Sequence, residues 1–477
     1  MKTLYERLEA YSRSDAYGFH MPGHKRNPEI AQRTGVHLPY EIDITEITDF
    51  DDLHHAEGII KEAEEDAARL YHSAETHFLV NGSTVGILSA ILGVTHRGDT
   101  ILVARNCHKS VYHAIELNGL HPVYLYPGYE IREQMNTEVS VEDVKSALEA
   151  NPEIRAVVLV SPTYDGVVSD IEAIAAAVHA NGVPLIIDEA HGAHFGFHSY
   201  FPESAVKSGA DLVINSLHKT LPSLTQTALI HINGELVDRE RVRRYLHMLQ
   251  SSSPSYVLMA SIDACIQLLK NEGTELFEQY VEWLDEARTE LKKMKQLRLI
   301  ETEHYDRSKI LISVADTELT SHELSRRLRE DYHLEMEMTA GKYVLAMTSV
   351  GDTKEGLDRL VNALLAIDGE LDGTKQELVL HQVDDNAAAQ TKPLPNARII
   401  YNPETARELS GTFLSWQQAI GHVALEYAYL YPPGCPLTVP GERVSQEVAD
   451  MLQWYYEQGF DIEGLKRKHE IEVWNDG

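Results

Sequence analysis

Cysteine is scarce: three in 477 residues, at 107, 265 and 435. They are too few and too scattered for a disulfide framework or a thiolate metal site, and they fit a reducing compartment. No apolar run approaches the roughly 20 residues that a membrane helix needs. The opening Met-Lys-Thr-Leu-Tyr-Glu-Arg-Leu-Glu-Ala mixes both charges in an amphipathic pattern and does not read as a signal peptide. A cytoplasmic protein with no membrane partner is expected. Basic side chains are also in deficit, 42 against 74 acidic ones, for a formal charge of −32. Nucleic acid is bound by a surplus of Lys and Arg, so it is not an expected partner. The same imbalance favours a cationic small molecule. Neither Gly-x-Gly-x-x-Gly after an early strand nor Gly-x-x-x-x-Gly-Lys occurs, so dinucleotide and P-loop readings lose support.

What is present is a globular composition, 43% hydrophobic and 24% charged, in a chain long enough for two to four units. From about residue 51 to 272, β-like runs recur at Thr76 to Val80, Thr100 to Ala104, Pro122 to Tyr126, Ala156 to Val160, Pro184 to Ile187, Leu212 to Ile214 and Ala228 to Ile232. Helical stretches such as Ser140 to Ala150 and Asp170 to Asn181 separate most of them. This alternation predicts an α/β unit with a mostly parallel, helix-covered sheet, whose ligand lies beyond the carboxyl ends of the strands. Residues 1–50 read as an arm carrying Pro22-Gly23-His24-Lys25, laid over this unit or a neighbouring subunit. Residues 273–385 read as a smaller α/β unit, with a helix from Glu272 to Met294 and a strand from Leu334 to Met338 among its elements. Residues 384–395 form a polar linker, and 396–477 a further C-terminal unit.

Two strand ends carry the chemistry. Val183-Pro-Leu-Ile-Ile-Asp188-Glu-Ala190-His191 reads as a buried strand ending in a carboxylate and an imidazole. About thirty residues later, Ser216-Leu-His218-Lys219-Thr220 follows another apolar run. An acid that pairs with a ring nitrogen and a turn lysine that bonds an aldehyde suit pyridoxal 5'-phosphate. Taken singly, Lys219 could be a solvated surface lysine and Asp188 a helix cap. Asn81-Gly82-Ser83-Thr84, between a strand and a helix, offers unpaired amides to a phosphate, although plain N-capping explains it too. His108 opens a helix at the same edge, where it could lie flat on an aromatic cofactor or be a hydrogen-bonded core residue. Ser161 to Gly166 can add polar contacts there. The tail's Pro-rich run from Tyr431 to Glu442 holds an extended path that could deliver Glu442 to a fixed place.

With these residues in view, the chain resembles the prokaryotic ornithine/lysine/arginine decarboxylases, fold-type I pyridoxal phosphate enzymes. The resemblance rests on FHMPGHKR (19–26), DITEITDFDDLHHAEG (43–58), NGST (81–84), RNCHKS (105–110), SPTYDGVVSDI (161–171), DEAHGAHFGFH (188–198), SLHKTL (216–221) and YPPGCPLTVPGE (431–442). It implies a seven-stranded large domain, a smaller α/β domain and a C-terminal domain, in the short form without an amino-terminal wing. It makes Lys219 the cofactor lysine, Asp188 the partner of the ring nitrogen and His108 the stacked ring. Ala190 and His191 would lie on the other face, and Gly82, Ser83, Thr84, Ser216 and His218 near the phosphate. A homodimer or dimer of dimers with shared sites is implied, Ser251 to Pro254 being candidate contributors. Cys435 departs from the aliphatic residue expected at its place.

The expected reaction is decarboxylation of a basic amino acid, arginine first, then lysine, then ornithine. A cationic side chain needs a carboxylate at the distal end of the pocket, and Asp43, Glu46, Asp165 and Glu442 are the candidates. An aminotransferase on the same fold is one rival, which would need a clamp on the α-carboxylate. A zinc-binding or regulatory protein built on His191, His194 and His198, or on His54 and His55, is another.

Overall fold

The computed structural model describes residues 3–14, 21–22, 24–28, 33, 38–371, 394–430, 434–457 and 459–475. Phe19, His20 and Gly23 of the arm, residues 384–393 of the linker and residues 431–433 of the tail lie outside that set. The seven apolar runs pair as one sheet: β1 (Glu75–Leu79), β2 (Thr100–Ala104), β3 (His121–Leu125), β4 (Ile154–Val160), β5 (Leu185–Asp188), β6 (Leu212–Asn215) and β7 (Ala228–Ile232). Their order across it is β1-β7-β6-β5-β4-β2-β3. β7 runs antiparallel to both neighbours, and the other adjacent pairs are parallel. β1, β2, β4, β5 and β6 therefore all end at the same edge. Every residue of β5, β6 and β7 is buried, as a sheet covered on both faces requires.

Local hydrogen bonding moves several boundaries from those expected. β1 stops at Leu79 because the Val80 N–H donates to Gln250 Oε1 at 2.9 Å instead of joining the ladder. The helices expected from Ser140 and Asp170 start one residue later. Those two side chains are caps, accepting from the amides of Asp143 and Ala173. β3 spans His121–Leu125, and its Pro122 is tolerated because β3 is an edge strand.

The smaller sheet holds β8 (Arg298–Leu299), β9 (Lys309–Ser313), β10 (Met338–Ala340) and β11 (Tyr343–Met347), all antiparallel, in the order β8-β9-β11-β10. The strand expected from Leu334 begins only at Met338. His333 takes a left-handed φ of 55°, and the Leu334 N–H donates to Leu328 O at 2.9 Å, so this stretch caps the preceding helix. A 36-residue helix, Tyr256–Leu291, runs through position 272, so the boundary expected there lies within one continuous helix. The amino-terminal helix Leu4–Ser12 buries Leu4 and Leu8, and the Leu4 N–H donates to Asp263 Oδ2 of that long helix at 2.8 Å. Asp51 organises the next segment, its carboxylate accepting from the amides of Glu57, Gly58 and Ile60. The C-terminal unit has its own core around Trp416, Leu437, Leu452 and Ile471.

Candidate active site

The shared strand edge opens into a cavity of about 660 Å³. Behind β6, Ser216 starts a single helical turn, Leu217–Thr220, where a plain turn is expected, and this turn carries Lys219. Lys219 Nζ lies 3.0 Å from His191 Nε2. Burial lowers the pKa of Lys219, against the pull of the Asp188 and Glu337 charges. Asp188 ends β5 and is 3% exposed, with Oδ1 accepting from the Ala190 N–H at 3.2 Å. Burial raises its pKa, and the Lys219 charge opposes the rise. An acid at the end of a buried strand thus faces a desolvated lysine across one cavity.

His108 caps the helix Lys109–Leu117, its Nδ1 accepting from the Ser110 N–H at 3.3 Å. Burial pushes its pKa down to about 4, with the Lys219 and Lys109 charges adding to the effect. The ring is therefore neutral at pH 7, the state suited to lying against another aromatic ring. Beneath the site a buried polar ladder ties three strands to the residue that follows β5. Thr76 Oγ1 contacts His231 Nδ1 at 2.8 Å, His231 Nε2 contacts Asn215 Oδ1 at 3.0 Å, and Asn215 Nδ2 donates to Glu189 Oε2 at 3.0 Å.

Gly82 adopts a φ of +76°, a left-handed conformation that suits glycine, and opens the helix Gly82–Val94 at the cavity. The first amides of a helix have no partner within it, and Ser83 and Thr84 line the cavity beside them. Ser216 also lines it, its Oγ buried with no hydrogen-bond partner among the described residues. A buried hydroxyl with a proton to donate, beside helix-start amides, fits an anionic group at this end. His218, fixed through Nδ1 to the Thr227 carbonyl at 2.9 Å, stands beside them. The residues present thus fit pyridoxal phosphate.

Of the four distal carboxylates considered from sequence, Asp165 lines the cavity. Burial pushes its pKa up to about 6, and the Tyr343 hydroxyl donates to it. The other three are held elsewhere. Asp43 Oδ2 is 3.1 Å from His24 Nε2, and Glu46 Oε2 accepts from Ser253 Oγ at 3.4 Å. Glu442 is delivered to a fixed place, but its partner is Arg105, with Nη2 2.9 Å from Oε2. Both are buried, at 0% and 4% exposed, and the guanidinium also lies 4.7 Å from the Tyr124 ring. Arg105→Ala would leave that carboxylate buried and unpaired, a loss of about 3–5 kcal/mol. Denaturant unfolding checks it, and a loss under roughly 1 kcal/mol contradicts the pairing.

Sequence reasoning missed Glu337, which lines the cavity and accepts from the Tyr164 hydroxyl, and Lys309, buried with Nζ 3.5 Å from His191 Nδ1. Cys435 also lines the cavity, its thiol donating to the Asn106 carbonyl at 2.9 Å. The histidines of the zinc alternative have separate partners. His191 meets Lys219, His194 Nε2 meets Asp306 Oδ1 at 3.0 Å, and His198 Nδ1 accepts from the Tyr200 N–H at 3.0 Å.

Comparison with known proteins gives the same frame. Residues 2–346 match the family model for the major domain of the Orn/Lys/Arg decarboxylases, and residues 403–467 match that for their C-terminal domain. The chain is 31% identical over 474 residues to an arginine decarboxylase of Bacillus anthracis, covering 97% of this chain and 94% of the relative. It is 32% identical over 475 residues to an arginine decarboxylase of Bacillus subtilis, covering 97% and 95%. Among solved structures, the lysine decarboxylase of Francisella novicida superposes with a TM-score of 0.85 at 20% identity, over 99% of this chain and 81% of that one. Among the described residues no helix is long and apolar enough to cross a membrane. With both domain models matched and the lysine and acid brought to one strand edge, the chain belongs to the Orn/Lys/Arg decarboxylase family and is a pyridoxal phosphate-dependent carboxy-lyase.

Proposed function

We propose that the substrate is arginine, with lysine next and ornithine third, and that the products are carbon dioxide and the corresponding amine. The observation that carries this is the pair of carboxylates, Asp165 and Glu337, in the same cavity as Lys219 and Asp188. They would receive the distal cation while the α-carbon sits at the lysine. Bound pyridoxal phosphate supplies the electron sink for the charge left when the α-carboxylate departs. Lys219 would hold its aldehyde and Asp188 keep its ring nitrogen protonated. His108 and Ala190 would flank the ring, and Ser83, Thr84, Ser216 and His218 would hold its phosphate. Lys219 Nζ, or His191 Nε2 beside it at 3.0 Å, would return the proton that Cα requires.

Among the described residues lining the cavity none is an arginine. An aminotransferase needs a clamp on the α-carboxylate, and such a clamp would oppose loss of carbon dioxide, so this favours the decarboxylase. The enzyme works in the cytoplasm as a homodimer or dimer of dimers with shared sites. Exposed Met248, just before the Ser251–Pro254 segment, supports a subunit contact there. Feeding arginine, lysine and ornithine separately while measuring carbon dioxide and amine tests the reading. Arginine is expected to give the largest kcat/KM. A keto acid formed from the fed amino acid when an acceptor is supplied, with no carbon dioxide, would favour the aminotransferase.

Asp165 makes the reading pH-dependent. As the pH falls through about 6, its carboxylate takes up a proton and the substrate cation loses that partner. KM for arginine is expected to rise on the acid side. In Asp165→Asn it should already be high and lack that acid limb; a KM profile identical to wild type contradicts the assignment.

A further inference from the structure

Lys309 opens β9 and is 0% exposed, a rare setting for an ammonium. Its stem is tightly packed. A Cβ on Gly166, whose φ of +97° suits glycine, would meet Lys309 Cγ at 2.8 Å. Nζ reaches to 3.5 Å from His191 Nδ1, while His191 Nε2 lies 3.0 Å from Lys219 Nζ. The imidazole therefore stands between two lysines, with the Tyr164 ring 4.5 Å away. The charges acting on Lys309 are those of Asp306, Glu337 and Asp165, which favour its ammonium, and Lys219, which opposes it. Those acting on His191 are Lys219, Lys309, His108 and His218, and all of them disfavour an imidazolium. Asp306, the carboxylate whose charge acts most strongly on Lys309, is engaged by His194 at 3.0 Å and by the Ser308 hydroxyl at 2.7 Å.

An ammonium donates hydrogen bonds and accepts none. Donation to Nδ1 requires a lone pair there, so a neutral ring must carry its proton on Nε2, facing the Lys219 nitrogen. That proton in turn needs a lone pair on Nζ of Lys219, which only the uncharged amine offers. We infer that Lys309 is a positioning residue for the reaction: by donating to Nδ1 it fixes His191 as the Nε2–H tautomer and, whenever Lys219 is a free amine, holds its nitrogen in the neutral, nucleophilic form. The inference rests on Lys219 being the cofactor lysine. Burial lowers the pKa of Lys309 to about 8, so this control is lost as the pH rises through that value.

Nitrogen-15 spectra of histidine-labelled holoenzyme test it, with His191→Gln identifying the signals. The wild-type ring is expected to carry its proton on Nε2, to show a bare Nδ1 and to take up no second proton until well below pH 6.5. Lys309→Met removes the donor and its charge. It should raise the pKa of His191 by about one pH unit, and move the pH midpoint of the holoenzyme's visible absorbance upward by a similar amount. Lys309→Arg should restore both in part. An Nδ1–H tautomer in the wild type overturns the inference, as do unchanged ring signals and an unchanged midpoint in folded Lys309→Met. Should that variant fail to fold, the wild-type tautomer alone decides. An unaltered visible spectrum in Lys219→Ala would instead remove the cofactor assignment, which keeps the two failures apart.

Discussion

Lys219→Ala is expected to abolish the visible absorbance of the holoenzyme and to lower decarboxylation by roughly 10⁴-fold or more. The alanine cannot bond the cofactor aldehyde, and His191 Nε2 loses the nitrogen now 3.0 Å away. Lys219→Arg is the sharper control. It sets a permanent cation opposite Asp188 and lacks an amine that can lose its proton near neutral pH, so it should be as inactive as the alanine variant. The alanine change should not unfold the protein, because a buried amine of lowered pKa contributes little folding energy that its loss could remove. Absorbance and single-turnover carbon dioxide release check both, and an alanine variant within about tenfold of wild type would contradict the role.

Asp188→Asn is expected to lower kcat by about 10³-fold, the range seen when one preorganised electrostatic partner is removed from a reacting centre. The asparagine preserves shape and an acceptor oxygen but carries no charge, so nothing holds the cofactor's ring nitrogen protonated. The Asp188 carboxylate is desolvated, with the Ala190 N–H as its hydrogen-bond donor, and its own pKa is raised by burial. Such a group is poised to ionise against a cation placed beside it. Asp188→Glu should retain more activity than the asparagine, because the charge remains even if displaced. Rates for the two variants with saturating arginine decide the matter. An asparagine variant slowed less than about tenfold would mean that the ring nitrogen is not charged through this residue.

Legibility in the sequence followed the reach of local physics. Strand runs and the residues just beyond them are set by neighbours in the chain. Asp188, Lys219, His108 and Ser83 could therefore be placed on one edge before any fold was known. The starts of the helices at 140 and 170 slipped by one residue because Ser140 and Asp170 serve as caps, a distinction that periodicity does not carry. Contacts between units were hidden. Lys309 reaches His191 across 118 positions, and Glu442 pairs with Arg105 across 337. A rigid Pro-rich path did mark Glu442 as fixed, but nothing local said that a buried guanidinium waited for it. Glu337 sits between two methionines after a left-handed cap, in a stretch that reads as strand, and its place in the cavity exists only once the smaller unit meets the strand edge of the large sheet. Lys309 had one overlooked signal: it is a lysine heading the apolar run Ile310-Leu311-Ile312.

The measurement that bears most directly on the account is borohydride reduction of the holoenzyme, followed by peptide mapping of the pyridoxyl group by mass spectrometry. The label is expected on Lys219, in the Ser216–Thr220 segment. A label on Lys309 or any other lysine, or none on a protein that still releases carbon dioxide from arginine, would contradict it.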